Sequence, residues 1–129
     1  MNKLDKESVI GISALLVHAA NIDEIYSEHE KDLIKNFIKS YLNNEDVNEI
    51  LKKAETIEKN SNQLLNYTNI IKQNTMEIKK DIIEHLWKVI ISDNTVDQYE
   101  SNLMRRICGL IYFPDKECAE LKLKLINKR

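Results

Sequence analysis

Glycine and proline are scarce in this chain: 2 glycines and 1 proline among 129 residues. A β protein needs both residues for its many tight turns, so their scarcity argues against one. It also excludes the glycine-rich loops that cradle phosphates, because no such loop can be written around Gly11 and Gly109. No G-x-S-x-G nucleophile turn and no H-E-x-x-H occurs. The two cysteines, Cys108 and Cys118, form no C-x-x-C and have no histidine at ligand spacing. They read as free, buried thiols of a reducing compartment rather than as a disulfide or a zinc site. Charge of one sign is lacking too: 19 basic against 21 acidic residues leave a net charge of −2. No basic field is present to recruit nucleic acid, and Lys79-Lys80 and Arg105-Arg106 read as solvated helix faces. Nor is there a long hydrophobic run. The opening MNKLDKESVIGISALLVHAANID has no basic leader region or A-x-A site, and His18 and Asn21 cut its apolar stretch short of a membrane span. The expectation is a cytoplasmic protein with no transmembrane segment and no nucleic-acid partner.

What the chain does have is apolar residues at helical spacing almost throughout. Ile78, Ile82, Leu86 and Ile90 form an i, i+4 stripe, with Ile83, Trp87 and Ile91 beside it. A stripe that wide predicts a central helix buried on most sides. No segment sustains period-two alternation, so the fold class is all-α. Start and stop signals give about seven helices in one domain spanning residues 1–129. Asp5 precedes the first, which runs to about Asn21. Ser27 and Glu30 form a capping box for the second. Asn43 or Asn44 caps the third, Ser61 a short fourth, and Thr75 the fifth. Asp97 and Glu100 cap the sixth with the same spacing as Ser27 and Glu30. Pro114 stops it, and Pro114 or Asp115 opens the last.

The two capping boxes share an offset. Asp23 stands seven residues before Glu30 and Asp93 seven before Glu100, so both pairs are related by a shift of 70 residues. With that shift Leu16 aligns with Leu86, Leu33 with Leu103, Ile34 with Met104 and Phe37 with Ile107. The pattern is a degenerate duplication of helix, Asp-led turn and helix, giving two pseudo-repeated halves over about residues 5–41 and 75–111.

These residues resemble the TerB-like family, named for a bacterial tellurite-resistance protein, and its small stand-alone members in particular. The family pattern is an apolar helix ending in A-D-G, a hydrophobic residue, then a Glu opening the next helix. The second copy here, LWKVIISDNTVDQYESNLMRRICGLI, is close to it, with Asn94 in the glycine place. The first, ALLVHAANIDEIYSEHEKDLI, is looser: Glu24 stands where glycine is preferred, and Ser27 replaces the acid that Asp97 supplies. The resemblance extends over nearly the whole chain, including the centre from Leu64 to Thr68. It implies an all-helical fold with pseudo-twofold halves, no catalytic activity, and a link to stress or metal resistance. It also implies a cluster of acidic residues that bind metal ions; on this sequence these are Asp23 and Glu30, then Asp93, Asp97 and Glu100.

The residues themselves leave two readings open. SDNTVDQYE is not an EF-hand, since positions six and twelve counted from Asp93 hold Gln98 and Met104. Asp97 and Glu100 fall i, i+3 on one helical face, and Asp93 can fold back over them, which suits a hard cation such as Ca2+ or Mg2+. Capping alone accounts for Asp97 and Glu100, at about 0.5–2 kcal/mol. One carboxylate oxygen can cap while the other ligates. His18 is a packing residue or a further ligand beside Asp23 and Glu30, while His29 and His85 read as surface residues. Tyr67 and Trp87 read as core aromatics. The function expected is therefore a non-enzymatic domain, with no catalytic residue, that binds a divalent cation weakly through its acidic turns. The alternative is a metal-independent module whose protein partner docks in a groove between the halves.

Overall fold

Local capping chemistry sets most of the helix starts. α1 (Lys6–Ala20) begins where Asp5, in an extended conformation, accepts a hydrogen bond from the Ser8 amide at 2.8 Å. The bonds from Ser8 hold the Asp5 carboxyl below its ordinary range. α2 (Glu28–Tyr41) opens on the expected capping box: the Glu30 amide donates to Ser27 Oγ at 3.1 Å, and the Ser27 amide donates to Glu30 Oε1 at 2.8 Å. α5 (Met76–Ile91) follows Thr75, whose Oγ1 accepts from the Ile78 amide at 3.3 Å. α3 (Val47–Asn60), α4 (Leu64–Lys72), α6 (Gln98–Leu110) and α7 (Asp115–Asn127) complete the chain. The computed structural model describes residues 4–21, 26–42, 46–60, 64–91 and 98–127, and the side chains of all of these but 64–66 and 98–100. The described residues hold seven helices and no strand, so the all-α expectation stands.

Two boundaries differ from the sequence reading. Asn43 and Asn44 lie outside the described residues, as do the expected caps Ser61 and Asp97. α3 is capped instead by Asp46, whose Oδ1 accepts from the Asn48 and Glu49 amides at 3.0 and 3.3 Å. A run of Asn, Asn, Glu and Asp offers several capping side chains, and the last acid before the apolar register is the one used. α6 also stops before Pro114 is reached. Tyr112 takes a left-handed conformation (φ 59°), which lets the Phe113 amide reach back to the Cys108 carbonyl at 2.9 Å. That is the Schellman way of satisfying terminal carbonyls. Pro114 then supplies the carbonyl that receives the Cys118 amide, the first bond of α7.

Gly109 lies inside α6 on its exposed side, with a negative φ and open space where a Cβ would be. Nothing requires glycine there. Gly109→Ala should raise the unfolding free energy by about 0.5–1 kcal/mol through helix propensity. Urea denaturation checks this, and a loss of stability would mean that the α6 terminus is not helical at that point.

α5 is buried on most sides as its stripe requires: Ile82, Ile83, Leu86 and Ile90 are inaccessible and Trp87 nearly so. It packs on α1, α2, α4 and α7. α1 is equally central and packs on α2, α3, α4 and α5, because VIGISALLVHAA is apolar on nearly every face. Leu16 and Phe37 are fully buried, while Leu33 is only half-buried at the edge of the core. Tyr67 is buried with its hydroxyl donating to the Ile57 carbonyl at 3.3 Å. The start of α5 stands 70 residues after that of α1, Met76 against Lys6. Among the described residues no helix is long and apolar enough to cross a membrane.

Candidate functional site

The α1–α2 junction gathers polar side chains from three helices. α1 delivers His18 and its C-cap Asn21, α2 begins with Tyr26, Ser27 and Glu30, and α3 lies alongside with Glu55 and Glu58. Ile50, Leu51 and Ala54 bury the inner face of α3, and this fixes the rotation that turns Glu55 and Glu58 toward the junction. Glu58 takes both neighbours from α1. His18 Nδ1 lies 3.3 Å from Glu58 Oε2, and Asn21 Nδ2 donates to Glu58 Oε1 at 3.3 Å. Both contacts are at the long end of the hydrogen-bond range. Tyr26 donates its hydroxyl to Glu55 Oε2 at 2.7 Å, a short, charge-assisted bond.

Negative potential accumulates at this junction. The Tyr26 phenol is pushed far above its ordinary range, first by burial and the Glu55 hydrogen bond, then by the charges of Glu55, Glu30 and Glu28. The chain already answers that potential with a cation: Lys31 Nζ stands 5.1 Å from the centre of the Tyr26 ring and 3.5 Å from Glu28 Oε1. Of the expected ligands, Glu30 is the one whose side chain is described. It is buried, and its Oε1 accepts from both the amide and the hydroxyl of Ser27. Asp23, Asp93 and Asp97 lie outside the described residues. Glu100 falls in the first turn of α6, and its side chain also lies outside them. Among the described residues no group of three or more His, Cys, Asp or Glu side chains is placed to hold a metal ion.

Glu30 has a capping duty that can be separated from its charge. Glu30→Gln keeps an acceptor for the Ser27 amide and should change stability little. Glu30→Ala removes the return bond of the box and should cost about 0.5–2 kcal/mol. Denaturant unfolding of the two variants gives the comparison, and equal losses would show that charge, not capping, is what Glu30 contributes.

Glu55 and Glu58 are functional candidates that the sequence reading missed. On α3 they are two acids at i, i+3 in a charged helix, a pattern indistinguishable from a solvated face. Their significance comes from His18 and Tyr26, which lie 40 and 29 residues away in sequence. His85 corrects the sequence reading in a similar way. It is not a surface residue: its side chain is 13% exposed and lies edge-on to Phe37 with ring centroids 5.1 Å apart. Its Nδ1 is 2.8 Å from the Asp81 carbonyl, which can only accept, so that nitrogen carries the proton. Tyr41 completes this α2–α5 cluster by donating to Asp81 Oδ2 at 2.6 Å, and burial and that bond raise its phenol far above the ordinary range.

Two concavities bear on a docking role. The hollow between α2 and α5 includes Tyr41, Lys80, Asp81 and Glu84 in its lining and is largely polar. A cleft of about 850 Å³ along α1, α3 and α4 is mainly apolar, with Ile10, Ile57, Tyr67 and Ile70 in its lining and Lys52 and Lys53 at its edge.

A family model described as tellurite resistance protein TerB matches residues 10–123. No curated protein and no solved structure matches the chain significantly.

Proposed function

The chain belongs to the TerB family, and on that premise we propose that it is a non-enzymatic helical domain that binds a hard divalent cation weakly at its acidic turns as part of a metal-resistance response. The observation that supports the reading is the gathering of carboxylates at the α1–α2 junction, where Glu55 accepts from the Tyr26 hydroxyl at 2.7 Å and Glu58 from Asn21 Nδ2 at 3.3 Å. Burial first, then the Glu55 bond, raises the Tyr26 phenol, and the charges of Glu55, Glu30 and Glu28 add to the effect. The donor set at and around the turns is carboxylate oxygen, which suits Ca2+ or Mg2+ rather than a soft ion. Glu30 and Asp23 would hold a cation in the first turn, with Glu55 and Glu58 adding charge from α3. Asp93, Asp97 and Glu100 would hold one in the second. An acid at Asp93 gains nothing from the negative C-terminal pole of the helix it follows, so a cation supplies the reason for it that capping does not. Bound there, the ion would relieve carboxylate crowding and tie the end of one helix to the start of the next.

Thermal melting in chelator and in millimolar Ca2+ or Mg2+ tests this. At ten times the dissociation constant, binding to the folded state adds about 1.4 kcal/mol. For a chain of this size that is a rise of about 5 °C. Asp93→Asn should abolish the second turn's share of the rise and slightly increase stability in chelator, where the carboxylates repel one another. Identical melts under all conditions would remove the cation from the reading.

The α1–α3–α4 cleft favours a second reading, in which the domain is a metal-independent interaction module. Its apolar lining includes Ile57, which is exposed. On that reading Ile57→Glu abolishes partner binding, and no cation alters the melting temperature.

A further inference from the structure

A cavity of about 430 Å³ opens where α5, α6 and α7 meet. That is within the range of about 300–1,000 Å³ over which small-molecule sites are found. Its walls follow from helical spacing. Ser101, Met104 and Arg105 stand at i, i+3 and i+4 on α6, and Asp115, Cys118 and Lys122 at i, i+3 and i+7 on α7, so each helix turns one face to the space. Two backbone bonds set those faces. Tyr112, at φ 59°, lets the Phe113 amide reach the Cys108 carbonyl at 2.9 Å, which folds α7 back beside α6. The Trp87 indole donates to the Cys118 carbonyl at 3.1 Å, which pins α7 to α5.

Cations outnumber acids in this lining, although the chain as a whole carries a net charge of −2. Arg105 and Lys122 both reach it, against one acid, Asp115. Among the described residues neither cation forms an ion pair. Lys122 is nonetheless held in place, with its Nζ 5.4 Å from the centre of the Trp87 ring. The indole N–H of Trp87 is already taken by Cys118, and Met104 and Cys118 are buried beside it, so these three form an apolar wall. A ligand that fits has an anionic end and an apolar body.

We propose that this cavity binds a phosphate monoester carrying a small apolar body. The Arg105 guanidinium is a fork of N–H donors suited to two phosphate oxygens, Lys122 adds a point charge, and the Ser101 hydroxyl donates a further hydrogen bond. A phosphate monoester brings three free oxygens and about two negative charges near neutral pH, which answers both cations and the hydroxyl. A carboxylate has two oxygens and one charge, and leaves one cation unanswered. The body lies against Trp87, Met104 and Cys118, and Asp115 accepts from a hydroxyl of the body or from water.

Trp87 is the single tryptophan of the chain, so its emission reports on the wall of the cavity. The test titrates the full chain with phenyl phosphate in EDTA, which keeps it separate from any cation at the acidic turns. Trp87 emission and calorimetric heat are followed together. Saturable binding is expected, about tenfold tighter than that of inorganic phosphate or benzoate. An equal ionic strength of sodium chloride should leave the emission in place. Arg105→Gln and Lys122→Gln should each weaken binding by about tenfold, the scale of one lost charge-assisted contact. Arg105→Lys should recover only part of the loss, because the fork is gone. Arg105 is exposed on α6, so its replacement leaves the core intact. Arg106→Gln is the control, since that neighbouring exposed arginine lies outside the lining and its loss should leave affinity unchanged. Three results would overturn the proposal: no saturable change at millimolar phenyl phosphate, benzoate binding as tightly as phenyl phosphate, or Arg105→Gln losing no more affinity than Arg106→Gln.

Discussion

Replacing Leu86 by alanine should lower the unfolding free energy by about 2–5 kcal/mol, the range for deleting a fully buried leucine. Leu86 is inaccessible at the centre of α5, flanked along its stripe by the equally buried Ile82 and Ile90. α5 is held between α1, α2 and α7, so the void cannot be filled by shifting one neighbour without unpacking another. Folded domains of ordinary size have only about 5–15 kcal/mol in total, so the variant should be marginal at room temperature. Guanidinium denaturation should show a lower midpoint with an unchanged slope. A loss below about 0.5 kcal/mol would mean that the stripe is not in the core.

Phe37→Ala should cost about 3–5 kcal/mol, and its effect should reach beyond the cavity. The Phe37 ring is fully buried on α2, tilted against Tyr41 with centroids 5.2 Å apart and edge-on to His85 at 5.1 Å. Tyr41 and His85 both bond to Asp81, through its carboxylate and its carbonyl. Removing the ring therefore loosens the support of two polar side chains whose partners are half-buried. Such groups are costly when left unpaired. The measurement is equilibrium unfolding together with the mutant cycle Phe37→Ala and Tyr41→Phe. A coupling near zero would mean that the ring and the Tyr41–Asp81 bond act independently.

Interactions that act over three or four residues were readable from the chain. Asp5, the Ser27–Glu30 box and Thr75 each satisfy amides one turn ahead, so type and spacing specify them. The α5 stripe was readable for the same reason, since i, i+4 repetition names the buried face directly. α1 was harder. Its apolar residues run all round the helix, so no face stands out, yet the structure gives it as many packing neighbours as α5. The site was less legible still. His85 sits between Glu84 and Leu86 in sequence, but its environment is made by Phe37 on α2 and by the Asp81 carbonyl one turn back. Glu55 and Glu58 carry no local signal at all. Each depends on how one helix is rotated against another. Asp23, Asp93 and Asp97 were read as ligands from pattern and resemblance, and these positions lie outside the described residues.

The central claim, that the acidic turns hold a divalent cation, is tested most directly by residue-resolved NMR of the full chain titrated with Mg2+ and then Ca2+. Backbone amides over residues 18–30 and 91–100 should move saturably, with the Glu55 and Glu58 amides following the first group. An equal ionic strength of sodium chloride should leave them in place, and Asp93→Asn should silence the second group alone. Amides that stay fixed at millimolar cation, or that drift equally with sodium chloride, would contradict the account and leave Ser27 and Glu30 as a helix cap and nothing more.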